Sequence, residues 1–197
     1  ATENASTDFN LGNTGAGYGA KAGSLKGGLG SSSFVSDKGL QIGGLFAVNS
    51  YGSVVNSQTG QFWAATDEID EEFGNKGVPS SLPEDILSGS STSGILANNN
   101  TTIGIIATNA KLSPKEAKRI AIMAHTGMSR AIRPIHTPVD GDIIFVVSTN
   151  SYIKEITFKD INILGELGAR VCSRSISRAI YEADSLFDII SWKERYS

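Results

Sequence analysis

Two short apolar runs, TTIGIIAT at 101–108 and DIIFVVS at 142–148, flank one sharply marked helix, and this order constrains the fold more than any other feature of the chain. The helix start is written in Ser113, Pro114 and Glu116. A serine hydroxyl can accept an orphan amide, a proline at the first helical position lacks the hydrogen that would go unpaired, and the glutamate can reach back to the serine. Apolar residues then recur at Ala117, Ile120, Ala121, Ala124 and Met128, a stripe of helical period. The flanking β-branched runs read as buried strands. Leu40 to Val48 reads as another strand, ending at Asn49 and a turn through Ser50, Tyr51 and Gly52. A second amphipathic helix is expected from about Lys159 to Ala183, with Ile161, Leu164, Leu167, Val171 and Ile180 inward. Strands alternating with helices predict an α/β layered domain.

The remaining segments are less regular. From Gly12 to Gly44 glycine and serine crowd the chain, which suits closely packed backbone or positive-φ turns and excludes a regular helix. Residues from about Asn56 to Asn100 carry an acidic run at Asp67 to Glu72, prolines at Pro79 and Pro83, and the serine-rich SGSSTSG at 88–94, a pattern expected of a mobile, solvated connector. The net charge of −3 and the lack of a basic stripe argue against a nucleic-acid partner. No run approaches the length of a membrane-spanning helix. Cys172 is the single cysteine, so no intrachain disulfide forms; with no signal-peptide pattern, a cytoplasmic setting is expected, and Cys172 reads as a buried bystander. The chain begins at Ala1 and enters the glycine-rich stretch at once, so an upstream segment is expected to be missing.

The chemistry is expected at Thr101, where a connector ending in three asparagines meets the mouth of a strand. If its hydroxyl attacks the carbonyl of Asn100, an ester forms, and hydrolysis leaves Thr101 with a free α-amine beside its own hydroxyl. An α-amine with a pKa of roughly 7.7 to 8.0 can accept the hydroxyl proton near neutrality, so nucleophile and base arrive on one residue. The same residues also read simply as a polar loop before a strand. His125 and His136 lack metal-ligand spacing; His125 falls on the helix, and His136 is expected to structure the loop before the aspartates. The glycine loop lacks the continuation of a phosphate-binding motif.

The stretch NTTIGIIATNAKLSPKEAKRIAIMAHTGMSRAIRPIHTPVDGDIIFVVST resembles the small-subunit core of the L-aminopeptidase/D-esterase (DmpA) family, which includes β-aminopeptidases and nylon-oligomer hydrolases. GAGYGAKAG, LKGGLGSSS and LFAVNSYG resemble the end of that family's large subunit. The resemblance implies an αββα four-layer sandwich of the N-terminal-nucleophile-hydrolase type, made as a precursor that cuts itself. Residues 1–100 would then be the end of the large subunit and 101–197 the small subunit. It further implies Asn100 and Thr101 as the cleavage pair, Thr101 as nucleophile, Asn49 as oxyanion donor, and Asp140 and Asp142 as orienting carboxylates. Asp140 and Asp142 are two residues apart and would share a face on an extended chain. Two aspartates here, as in nylon-oligomer hydrolases, lean toward that branch. The family's lysine aligns with Ser24, so Lys26 or Lys21 is expected to substitute. No metal or organic cofactor is implied. The expected partners are an amide or peptide substrate, the other half of the processed precursor, and further copies in an oligomer of heterodimers. Beside hydrolysis of short oligoamides or peptides, nylon oligomers among them, three alternatives stay open: a D- or β-aminopeptidase of the same family, an acyl transferase resembling ornithine acetyltransferase, and a non-catalytic assembly protein that keeps the fold.

Overall fold

A computed structural model describes residues 6–88 and 100–197. The small hairpin of β1 (Lys21–Ala22) and β2 (Leu25–Lys26) leads into a four-stranded sheet of β3 (Gly28–Val35), β4 (Gln41–Asn49), β5 (Thr101–Thr108) and β6 (Ile143–Ser148), in that spatial order. The β3–β4 and β4–β5 pairs are antiparallel and β5–β6 is parallel. The helices are α1 (Glu84–Ser88), α2 (Pro114–Ala131), α3 (Phe158–Tyr181) and α4 (Trp192–Tyr196). A parallel pair needs a crossover, and α2 supplies it between β5 and β6.

The helix ends follow the sequence signals. Ser113 caps α2 through a full capping box with Glu116, with Pro114 in the first turn, and Thr157 with Asp160 does the same for α3. Ile120, Ala124 and Met128 turn inward from α2, and Ile161, Leu164, Val171, Ile176 and Ile180 from α3. The two helices pack together on one face of the sheet, α3 over β3 and β4 and α2 toward β6, and enclose Ile42, Phe46, Val48, Ile106 and Ile144.

Three expectations change. The glycine- and serine-rich stretch contains a strand, β3, which was not anticipated. A Cβ at Gly28 or Gly30 would run into the backbone carbonyls of Ala179 and Ser175, so this strand lies against α3 where no side chain fits. The acidic run is solvated only in its middle, at Asp70 and Glu71, and its ends are held. Asp67 is buried, accepts the Ser173 hydroxyl at 2.6 Å and lies 3.4 Å from Arg170 and 3.7 Å from Arg130. Glu72 takes a two-pronged bond from Arg174 at 2.5 and 2.9 Å. Arg174 is itself buried on α3 and needs a carboxylate there. Phe62 and Phe73 enter the same core, so this part of the expected connector is anchored, while its 89–99 portion lies outside the described residues. Finally, β5 and β6 were expected to be buried. Their side facing away from the helices carries Ile103, Ile105, Ile143, Phe145 and Val147, each 39–54% exposed and aligned in register across the strand pair. Of the four expected layers, the described residues supply one sheet and one helical layer.

Candidate active site at the start of the central strand

Thr101 opens β5, and the register of β4 against β5 sets it directly opposite Asn49, the last residue of β4. Facing residues on one side of a sheet stand about 5 Å apart at Cβ, so strand pairing alone brings a hydroxyl and a side-chain amide together. The Asn49 Oδ1 accepts the backbone N–H of Lys21 at 2.9 Å, which sets the oxygen toward β1 and the NH2 group to the opposite side.

The peptide between Asn100 and Thr101 is held from two sides. Thr101 Oγ1 donates to the Asn100 carbonyl oxygen at 2.5 Å, and the Gly141 N–H donates to the same oxygen at 3.0 Å. Asn100 itself forms a parallel bridge with Asp140. Glycine at 141 is a matter of space: a Cβ there would stand 2.8 Å from Thr101 Oγ1. The backbone of the DGD segment thus lies against the hydroxyl.

The two aspartates have separate partners. Asp140 accepts the Tyr51 N–H at 3.0 Å and the Thr137 hydroxyl at 2.6 Å, tying the turn after Asn49 to the loop that precedes β6. Asp142 accepts the Thr102 N–H at 2.8 Å with Oδ1, while its Oδ2 receives both the backbone N–H of His136 at 3.2 Å and ring Nδ1 at 3.1 Å. One carboxylate fixes the strand end that carries Asn49, and the other fixes the strand start that carries Thr101.

Lys26 has no exposed surface, which excludes a solvated role. Its Nζ donates to the carbonyls of Gly17 and Gly27 at 2.8 and 2.7 Å, and burial pushes its pKa down to about 8. Lys21 meets the site through its backbone amide on Asn49. Cys172 is buried on α3, and burial pushes its thiol pKa up.

Residue reasoning missed Gly141, read only as a turn, and the Tyr51 amide. Both lie within motifs that were singled out, but a backbone donor leaves no mark in a sequence beyond the small residue that lets it approach. Among the described residues no helix is long and apolar enough to cross a membrane.

The chain is 43% identical over 148 residues to an uncharacterized aminopeptidase of Mycobacterium tuberculosis, covering 75% of this chain and 42% of that protein. A 6-aminohexanoate-oligomer endohydrolase of Kocuria sp. is 47% identical over 51 residues, covering 26% of this chain and 14% of the relative. The solved L-aminopeptidase D-Ala-esterase/amidase from Ochrobactrum anthropi, described as a variant of the Ntn-hydrolase fold, superposes with a TM-score of 0.60 at 20% identity, covering 91% of this chain and 47% of that one. That likeness shows the fold to be of the Ntn-hydrolase type. The chain spans about half the length of that structure and less than half of the two relatives. The profile of peptidase family S58 matches residues 1–189, and the chain belongs to that family.

Proposed function

We propose that this chain is the nucleophile-bearing part of a self-processing amide hydrolase, in which Thr101 first cuts its own bond to Asn100 and then attacks amide substrates. The observation that carries the reading is the Asn100 carbonyl oxygen, held by the Thr101 hydroxyl on one side and the Gly141 N–H on the other. Attack by Oγ1 on that carbonyl carbon drives charge onto its oxygen, and an amide donor already aimed there stabilises the charge without reorganising. As Oγ1 attacks, its proton passes to the Thr101 nitrogen, which departs as the α-amine and leaves an ester from Asn100 to Oγ1; water then hydrolyses the ester, releasing the Asn100 carboxylate and restoring the hydroxyl.

In turnover the new α-amine of Thr101 accepts the hydroxyl proton as Oγ1 attacks a substrate carbonyl, and returns it to the departing amine. Water then hydrolyses the acyl ester. The Asn49 amide faces Thr101 across the strand pair and serves as oxyanion donor. Asp140 and Asp142 hold the two strand ends in register after the chain is cut. The pieces stay together because β4 and β5 are hydrogen-bonded along their length and Asp67 and Glu72 of the first piece grip arginines of the second. The apolar outer side of β5 and β6 is then the seat of the second sheet of the sandwich, supplied by the rest of the protein.

The substrate class we assign is a short peptide or amide with a free amino terminus, on the strength of the long aminopeptidase match. The shorter match to an oligomer endohydrolase favours a second reading, hydrolysis of 6-aminohexanoate oligomers. Purified full-length protein assayed against L-alanine p-nitroanilide and a 6-aminohexanoate oligomer separates them, with Thr101→Ala as the control that should be inactive on both. Turnover of either substrate by the Thr101→Ala variant refutes the assignment of the nucleophile.

A further inference from the structure

Behind Asp142 lies a short chain of rings that the proposed reaction does not use. His136 stands in the loop before the aspartates and His125 on α2, with His125 Nδ1 3.3 Å from His136 Nε2 and His136 Nδ1 3.1 Å from Asp142 Oδ2. The Asp142 side chain is 1% exposed. An ionised carboxylate only accepts, so Nδ1 of His136 carries a hydrogen and donates. The Nε2···Nδ1 contact holds one hydrogen, and two cationic rings would place N–H against N–H.

The backbone gives an independent observation. His136 has φ of 55°, in the left-handed region where a residue with a side chain is disfavoured. That conformation lets both the amide and the ring of one residue reach the same carboxylate oxygen. A strained residue is kept where the surroundings over-determine it, and here three donors converge on Asp142, the third being the Thr102 N–H next to the nucleophile.

We propose that His136 is a positioning residue: it holds Asp142 against the amide of Thr102 and so keeps the first residues of β5 in place once Thr101 has become a chain end, with His125 fixing the tautomer of its ring. A fresh terminus frays unless tied down, and Asp142 is the tie. The inference rests on the processing reading above. The charged and titratable groups in contact with His136 are His125 from α2 and Asp142 just before β6. His125 has its pKa lowered by burial first and by His136 second, with Asp142 opposing.

The test separates ring from backbone in the full-length protein. His136→Gly relieves the left-handed backbone but removes the ring donor, whereas His136→Asn tolerates that backbone and restores a side-chain N–H. Cleavage is followed by intact mass, and kcat and KM of the cut enzyme are measured on L-alanine p-nitroanilide and a 6-aminohexanoate oligomer from about pH 5 to 9. The glycine variant should lose about tenfold to a hundredfold in kcat or in cleavage rate, with KM little changed, and the asparagine variant should recover most of it. A glycine variant equal to wild type, or an asparagine variant no better than glycine, overturns the inference alone. A wild-type protein that is uncut and inactive overturns the processing reading and this inference with it.

Discussion

Gly141→Ala adds a single methyl at the point where the proposed chemistry is concentrated. The new Cβ would stand 2.8 Å from Thr101 Oγ1, 3.7 Å from its Cγ2 and 3.8 Å from its Cβ, so only the hydroxyl is crowded. An unstrained carbon-to-oxygen approach is about 3.3 to 3.6 Å, so the hydroxyl and the Gly141 backbone must part by roughly 0.5 to 0.8 Å. That movement disturbs the aim of the hydroxyl and stretches the 3.0 Å bond from the Gly141 N–H to the Asn100 carbonyl oxygen. A misplacement of about 1 Å costs roughly 10² in rate, and losing an oxyanion donor costs about 10² to 10³. Because the displacement is smaller and the donor is strained, not deleted, self-cleavage should slow by about tenfold to a hundredfold. Gly141 has no positive φ, so alanine imposes no backbone strain, and the unfolding midpoint should stay close to wild type. The assay is the fraction of uncut chain against time after purification, read by gel and intact mass. Gly19→Ala, where a Cβ meets nothing within 4 Å, is the control and should mature at the wild-type rate. Maturation of Gly141→Ala at the wild-type rate would refute the argument that the DGD backbone is part of the cleavage machinery.

Asp142→Asn should lower kcat by on the order of 10², because either orientation of the amide turns an NH2 toward the Thr102 N–H or toward the donors of His136. Asp140→Asn should cost less than about tenfold, since the amide oxygen can keep the Tyr51 N–H while its NH2 donates to the Thr137 hydroxyl, which accepts as well as donates; equal losses in the two matured variants would contradict the separate roles. Asp67→Ala should destabilise by about 1–3 kcal/mol in urea titration, through the lost charge-assisted bond from the Ser173 hydroxyl and the lost ties to Arg130 and Arg170, and an unchanged midpoint would show the contacts to be incidental. Lys26 has its folded pKa lowered from 10.5 to about 8, so folding is penalised while the ammonium is charged and the penalty fades as pH rises through that interval. The stability of wild type relative to Lys26→Met should therefore improve between those two values, and parallel curves would show that the buried lysine is not titrating there.

Much of this was legible in the sequence because local signals and packing agree. The capping box that starts α2, the apolar stripe through Ile120, Ala124 and Met128, and the β-branched run after Thr101 all point to the elements that form, whereas the Thr157–Asp160 box that starts α3 was not read. β3 was hidden because a strand pressed against a helix backbone loses the side chains by which strands are recognised; Gly28 and Gly30 are small for that reason. The acidic run misled because Asp67 and Glu72 look like solvated residues until Arg130 on α2 and Arg170 and Arg174 on α3, the last about a hundred residues from Glu72 in sequence, are brought to them. Motif residues picked out Asn49, Thr101, Asp140 and Asp142, and the structure brings them to one end of the sheet. The donors between them are backbone amides of Tyr51, Thr102 and Gly141, which have no sequence signature.

The central claim is that the chain is cut before Thr101 and that the new terminus is the nucleophile. Intact-mass measurement with amino-terminal sequencing of the purified full-length protein tests it most directly. The account predicts two fragments that remain associated, the smaller beginning Thr-Thr-Ile-Gly, with Thr101→Ala a single uncut chain and Thr101→Ser cut and partly active. A single uncut wild-type chain with full amidase activity, or a smaller fragment with any other first residue, would contradict it.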